Sequence, residues 1–147
     1  MKRAFVFVSA IAAAGMVAAT GSATATERSG ALHVTKECSE YHGQPGEFCT
    51  IMSSNLKAID VGSKVVYTQA AGAAGLDSDL VLDTGPGNRA FGHVMLSFAT
   101  LSGVVTFSGG TGQFRHFRAS VDVTYDRDAD LWHWDGTYSF TRAADDD

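Results

Sequence analysis

Between residues 62 and 141, apolar and polar side chains alternate with a period of two, in short runs broken by glycine-rich turns. This pattern predicts a succession of β-strands. The last run is the clearest: Trp132, Trp134, Tyr138 and Phe140 fall on one face, and His133, Asp135, Thr137 and Ser139 on the other. The run before it sets Ala119, Val121, Val123 and Tyr125 against Arg118, Ser120, Asp122 and Thr124. Faces this apolar must be buried against further strands, so a closed barrel or a sandwich is the physical solution.

Further strands are expected at 32–36, 48–53, 63–70, 80–82, 89–100 and 103–107, which brings the count to about eight. Turn formers separate them: Gly43, Pro45 and Gly46, the small residues 71–75, Gly85-Pro86-Gly87-Asn88, Leu101-Ser102, and Gly109-Gly110-Thr111-Gly112. The run 89–100 is apolar on both faces. No stretch beyond residue 25 combines helix caps with a 3.6-residue period, and no internal repeat is visible.

The N-terminus has a different character. Lys2 and Arg3 precede an uncharged, alanine-rich run over 4–20, followed by Ala23-Thr24-Ala25. This is the pattern of a secretory signal peptide, with cleavage expected after Ala25. The run is short and weakly hydrophobic for a membrane anchor, and no second apolar run of spanning length follows. The expected organisation is a signal peptide at 1–25, an N-terminal segment with a disulfide loop at 26–47, a β-barrel domain at 48–141 and an acidic tail at 142–147. The expected location is secreted or periplasmic.

Charge and cysteine content refine this picture. The formal net charge is −5, and loss of Lys2 and Arg3 with the signal makes the mature chain more acidic still. Nucleic acid is therefore excluded as a natural partner. In an exported protein Cys38 and Cys49 are expected to form a disulfide, since neither belongs to a CxxC pair or a histidine cluster. Closing a loop of that size stabilises a fold by about 3 kcal/mol through chain entropy.

Several motifs invite a chemistry that their context rejects. The Gly109–Gly112 cluster lacks the lysine and following helix of a phosphate-binding loop. Asp126, Asp128 and Asp130 begin like a calcium loop, but Leu131 and Thr137 occupy the positions that require glycine and glutamate. An acidic hairpin tip is the better reading. His33, His42, His93, His116 and His133 have no zinc-ligand spacing, and no Gly-x-Ser-x-Gly elbow is present. No cofactor or metal site is indicated.

The run Phe107-Ser108-Gly109-Gly110-Thr111-Gly112-Gln113-Phe114, followed by the strand over 118–125, resembles the GGTG turn of dirigent proteins and allene-oxide-cyclase-like barrels. The order of Ser53-Ser54-Asn55-Leu56, Val61-Gly62-Ser63-Lys64-Val65, the turn at 85–89, GGTG and Trp134-Asp135-Gly136-Thr137-Tyr138-Ser139-Phe140 is similar to small exported proteins of that group. The resemblance covers roughly 49–141. It implies an eight-stranded antiparallel barrel, often oligomeric, and isomerase or cyclase chemistry where the relatives are enzymes. Only the GGTG turn transfers residue by residue, and its role is structural. The carboxylate, asparagine and proline of the plant cyclases have no counterpart here, nor has the acidic N-terminal motif of dirigent proteins.

About eight strands enclose an interior that is either filled by side chains or holds one small ligand. Tyr67, Phe98, Tyr125, Trp134, Tyr138 and Phe140 are the expected inward aromatics, and His93 the polar group that would orient a ligand if it faces inward. Two function classes follow. One is a secreted barrel that binds a small hydrophobic molecule through Tyr67, His93, Phe98, Tyr125, Trp134 and Tyr138, with or without isomerase-type chemistry. The other is a non-catalytic extracellular structural or interaction protein with a filled barrel, whose strand over 91–99 makes a homo-oligomer interface.

Overall fold

A computed structural model describes residues 28–140. The expected signal peptide and the acidic tail lie outside the described residues. Eight strands follow in order: β1 (Ser29–Glu37), β2 (Phe48–Ser54), β3 (Lys64–Tyr67), β4 (Gly75–Asp83), β5 (Arg89–Ser97), β6 (Ser102–Gly110), β7 (Phe117–Asp126) and β8 (Leu131–Phe140). Each pairs antiparallel with its sequence neighbours, and β1 pairs with β8, so the sheet closes into a barrel. Closure sets Val34 opposite Trp134 and Lys36 opposite Trp132. The segment 26–47 therefore supplies a stave of the barrel as well as the disulfide loop.

Alternation assigns the faces as the sequence implies. Leu32, Val34, Val65, Leu80, Leu82, Val105, Val121 and Trp134 are buried, while their neighbours along each strand are more exposed. Strand bounds shift from expectation, with β1, β4 and β6 longer and β3 and β5 shorter, and in β3 and β4 the cause is visible. β4 begins at Gly75, five residues before the expected run, because Ser78 alternates inward with Leu76 and Leu80 and reads as polar only in sequence. β3 stops at Tyr67. There the buried Ser78 hydroxyl accepts the Thr68 and Gln69 N–H groups at 3.2 and 3.0 Å, which diverts the backbone from the ladder.

The two ends of the barrel are unlike. At one end Phe114, on a short 3-10 turn (Gly112–Phe114), packs edge-on against Phe117. Phe107, Phe117 and Phe140 extend this aromatic plug into the interior. The GGTG turn that carries Phe114 is docked on the Gly85–Asn88 turn: Thr111 Oγ1 donates to the Gly87 carbonyl at 3.0 Å, and the Gln113 N–H to Asn88 Oδ1 at 2.9 Å. The two turns quoted for the family resemblance thus meet each other. The opposite end, where β1 runs into the disulfide loop, is not plugged by phenylalanines and holds the site described below.

A Cβ at Gly112 would overlap Asn88 Oδ1 and the Gly87 carbonyl, and the residue has φ +57°, whereas Gly46 at φ +88° has open space around it. Gly112→Ala is expected to lower stability by about 2–4 kcal/mol, from a strained φ together with displacement of the docked turn. Gly46→Ala should cost only about 1–2 kcal/mol from φ alone. Urea unfolding of the two variants measures the difference.

Candidate functional site

β1 carries Leu32, Val34 and Lys36 on its inward face, so plain alternation drives a lysine into the barrel. Lys36 retains only 4% exposure. Among the described residues the other buried polar side chains are Ser63 and Ser78, and both donate hydroxyl hydrogen bonds, to Asp60 Oδ1 and the Asp79 carbonyl. Lys36 has no such partner. Its Nζ lies 3.6 Å from Cys38 Sγ and 3.8 Å from Cys49 Sγ, and sulfur is a weak acceptor. Its remaining neighbours are ring faces, with Nζ 5.3 Å from the Trp132 centroid and 5.9 Å from those of Tyr67 and Trp134.

These groups border a cavity of about 60 Å³, lined also by Tyr41, Leu76, Val94, Leu96, Phe98, Val105 and Val123. The space is large enough to hold water. Outside it lies an open depression of about 450 Å³, formed by Glu37, Ser39, Leu101, Tyr125 and Asp130 together with Cys38, Tyr41, Phe98 and Trp132 of the cavity wall. The Cys38–Cys49 disulfide forms as expected and ties the end of β1 to the start of β2 beside the lysine.

Electrostatics and hydrogen bonding single out the same place. Burial without a counter-ion pushes the Lys36 amine down to about 7. Burial also raises the Tyr67 and Tyr41 phenols, the latter helped by Glu47, so both stay protonated at neutral pH. Among the described residues, the buried side-chain polar atoms without a hydrogen-bond partner are Tyr41 OH and Trp134 Nε1. Both residues line this cavity. Groups left unpaired in a protein interior mark a place for water or a ligand.

Of the residues named from sequence, Tyr67, Phe98 and Trp134 line the cavity, and Tyr125 lines the outer depression. Tyr138 packs against Phe140 and Gly30 near the plugged end, away from the other four. His93 points outward. It bridges Asp79 and Asp77 across β4 at 2.8 and 2.6 Å, and these hydrogen bonds raise its pKa. The polar group of the pocket is Lys36 instead, with Tyr41 and Trp132 completing the wall. Lys36 was legible as the third member of the Leu32-Val34-Lys36 alternation, but a strand-end lysine ordinarily faces solvent. Asp126 Oδ1 accepts the backbone N–H groups of Asp128 and Ala129 in the β7–β8 turn, the acidic hairpin tip that was expected. No cluster of three metal-ligating side chains occurs among the described residues. No described helix is long and apolar enough to cross a membrane.

Comparison with protein families, curated proteins and solved structures finds no match for this chain.

The lowered Lys36 pKa has a thermodynamic consequence. From about pH 7 to 10.5 the unfolded chain binds more protons than the folded one, so this group makes stability rise with pH across that window. Below pH 7 the cost of a buried ammonium is fully present. Lys36→Met is therefore expected to be more stable than the parent by a few kcal/mol below pH 7, with the margin shrinking toward pH 10.5. Thermal unfolding of both proteins across this range checks the sign.

Proposed function

We propose that the chain is an exported barrel of the allene oxide cyclase/dirigent-like group, and that the Lys36 end binds a small, largely apolar molecule bearing an oxygen acceptor. One observation carries the reading: the two residues whose buried donors lack partners, Trp134 through Nε1 and Tyr41 through its OH, both line one aromatic cavity. A carbonyl or similar oxygen would satisfy them, and the rings would cover the apolar remainder. The disulfide fits an oxidising compartment, and the docking of the GGTG turn on the 85–88 turn fits the family resemblance. Isomerase or cyclase chemistry would follow if the walls hold a flexible substrate in its reactive shape.

Benzamide is a suitable probe, with an aryl ring, a strong acceptor oxygen and no reactive carbonyl. The parent is expected to bind it one-to-one, with quenching of tryptophan fluorescence. Trp134→Phe, which removes the indole N–H at modest change in volume, should bind about tenfold more weakly. Equal affinity in a folded Trp134→Phe variant would remove the indole from the site, and no saturable binding at all would overturn the reading.

A second reading rests on the outer surface. Phe91 and Met95 of β5 and Val104 of β6 are exposed, and Met95 is the register partner of Val104. Such a stripe suits pairing with a second copy of the barrel. Sedimentation is expected to show a self-associating parent and a monomeric Met95→Glu variant. A monomeric parent would dismiss this reading.

A further inference from the structure

We propose that Lys36 is a covalent nucleophile that forms a Schiff base with a small apolar aldehyde or ketone seated at this mouth of the barrel. The inference rests on the binding reading above and specifies its ligand chemistry. Its basis is where the amine sits. Lys36 lines an aromatic cavity, and its Nζ lies close to disulfide sulfurs and ring faces, with no oxygen acceptor to hold it as an ammonium. Surface lysines are protonated and unreactive at neutral pH, whereas an amine desolvated in an apolar pocket keeps its lone pair available. The titratable groups facing Lys36 across the cavity are Tyr41, from the β1–β2 loop, and Tyr67 of β3. β4 to β8 contribute only apolar and indole side chains to the cavity wall. Glu37 and Asp130 line the outer depression, and Glu47 acts on Tyr41. With the amine at about 7, a substantial neutral fraction exists at physiological pH.

The cavity and the depression divide the ligand between them. The cavity is much the smaller of the two spaces, so it takes the carbonyl end and the apolar remainder lies outward against Phe98, Leu101, Tyr125 and Trp132. Tyr41 and Trp134, whose OH and Nε1 have no hydrogen-bond partner, line the same cavity, and a small shift of either ring would let its donor reach the carbonyl oxygen. The Lys36 nitrogen bonds to the carbonyl carbon and the carbon–oxygen double bond opens to a carbinolamine. The carbon–oxygen bond then breaks, and the oxygen leaves as water with the two hydrogens of the amine. The product is a neutral imine, and no oxidant or reductant is required.

The test treats the protein with benzaldehyde and cyanoborohydride, which fixes an imine as a secondary amine, and maps the benzyl groups by peptide mass spectrometry. The exposed Lys57 and Lys64 serve as internal competitors. Lys36 is expected to be labelled at least about tenfold faster than either at neutral pH, with a rate that rises through a midpoint near 7, and benzamide should protect it. Lys36→Met should lose this label while Lys57 and Lys64 keep theirs. If benzamide binds the parent but Lys36 is labelled no faster than its competitors, the covalent role is overturned and the binding reading stands. If benzamide neither binds nor protects, both fall. Protection is measured on the unaltered protein, so the result does not depend on the variant folding.

Discussion

Closure of β1 onto β8 is the constraint on which the rest of the structure depends. An open sheet of these strands would expose one apolar face and two unpaired edges, and the ladder from Ser29 opposite Ser139 to Lys36 opposite Trp132 removes both. Closing eight strands also limits the interior to a width that side chains can nearly fill. The character of this protein comes from how that limited volume is divided along the barrel axis.

At one end the division favours packing. Four phenylalanines meet in tilted, edge-on and stacked pairs at centroid separations of 4.9 to 6.4 Å. Phe114 reaches them because the GGTG turn is held on its neighbouring turn by hydrogen bonds that involve Gly87 and Asn88. A glycine-rich segment thereby decides how one end of the barrel is sealed. At the other end the wall is made of tyrosines and tryptophans, with Tyr41–Tyr67 and Tyr125–Trp132 centroids 4.9 and 4.8 Å apart, and a lysine replaces the apolar residue that the same strand position would take in a filled core.

Burying that lysine without a counter-ion works against stability, since desolvation disfavours the ammonium and two sulfurs with three ring faces compensate for it only in part. The amine meets the cost by shedding its proton near neutral pH. A core optimised for stability alone would place methionine or leucine there. Sites that depart from the stable solution, with unpaired donors close by, are where binding and chemistry concentrate. The disulfide serves this arrangement twice, fixing the strand ends that carry Lys36 and Cys49 and presenting sulfur to the amine.

Much of this was legible in the amino-acid order. Period-two alternation in β7 and β8 assigned Trp134 and Val123 to the interior before any coordinates, because strand pleating forces alternate residues to opposite faces. Glycine and proline placed the turns, and the proximity of two cysteines in a chain with a signal-like leader pointed to their bond. Local pattern could not say how those faces meet. Which end of the barrel is plugged depends on where Phe114 lands after a turn 24 residues downstream of Gly87 docks on it. His93 and Lys36 traded roles for the same reason: each sits on a strand of alternating pattern, but only closure established that one faces Asp77 and Asp79 in solvent and the other Trp132 and Trp134 within. Sequence determined the strands, their faces and the covalent link. The place of the buried amine was decided by tertiary structure, because the environment that lowers its pKa is built by residues from every other strand of the barrel.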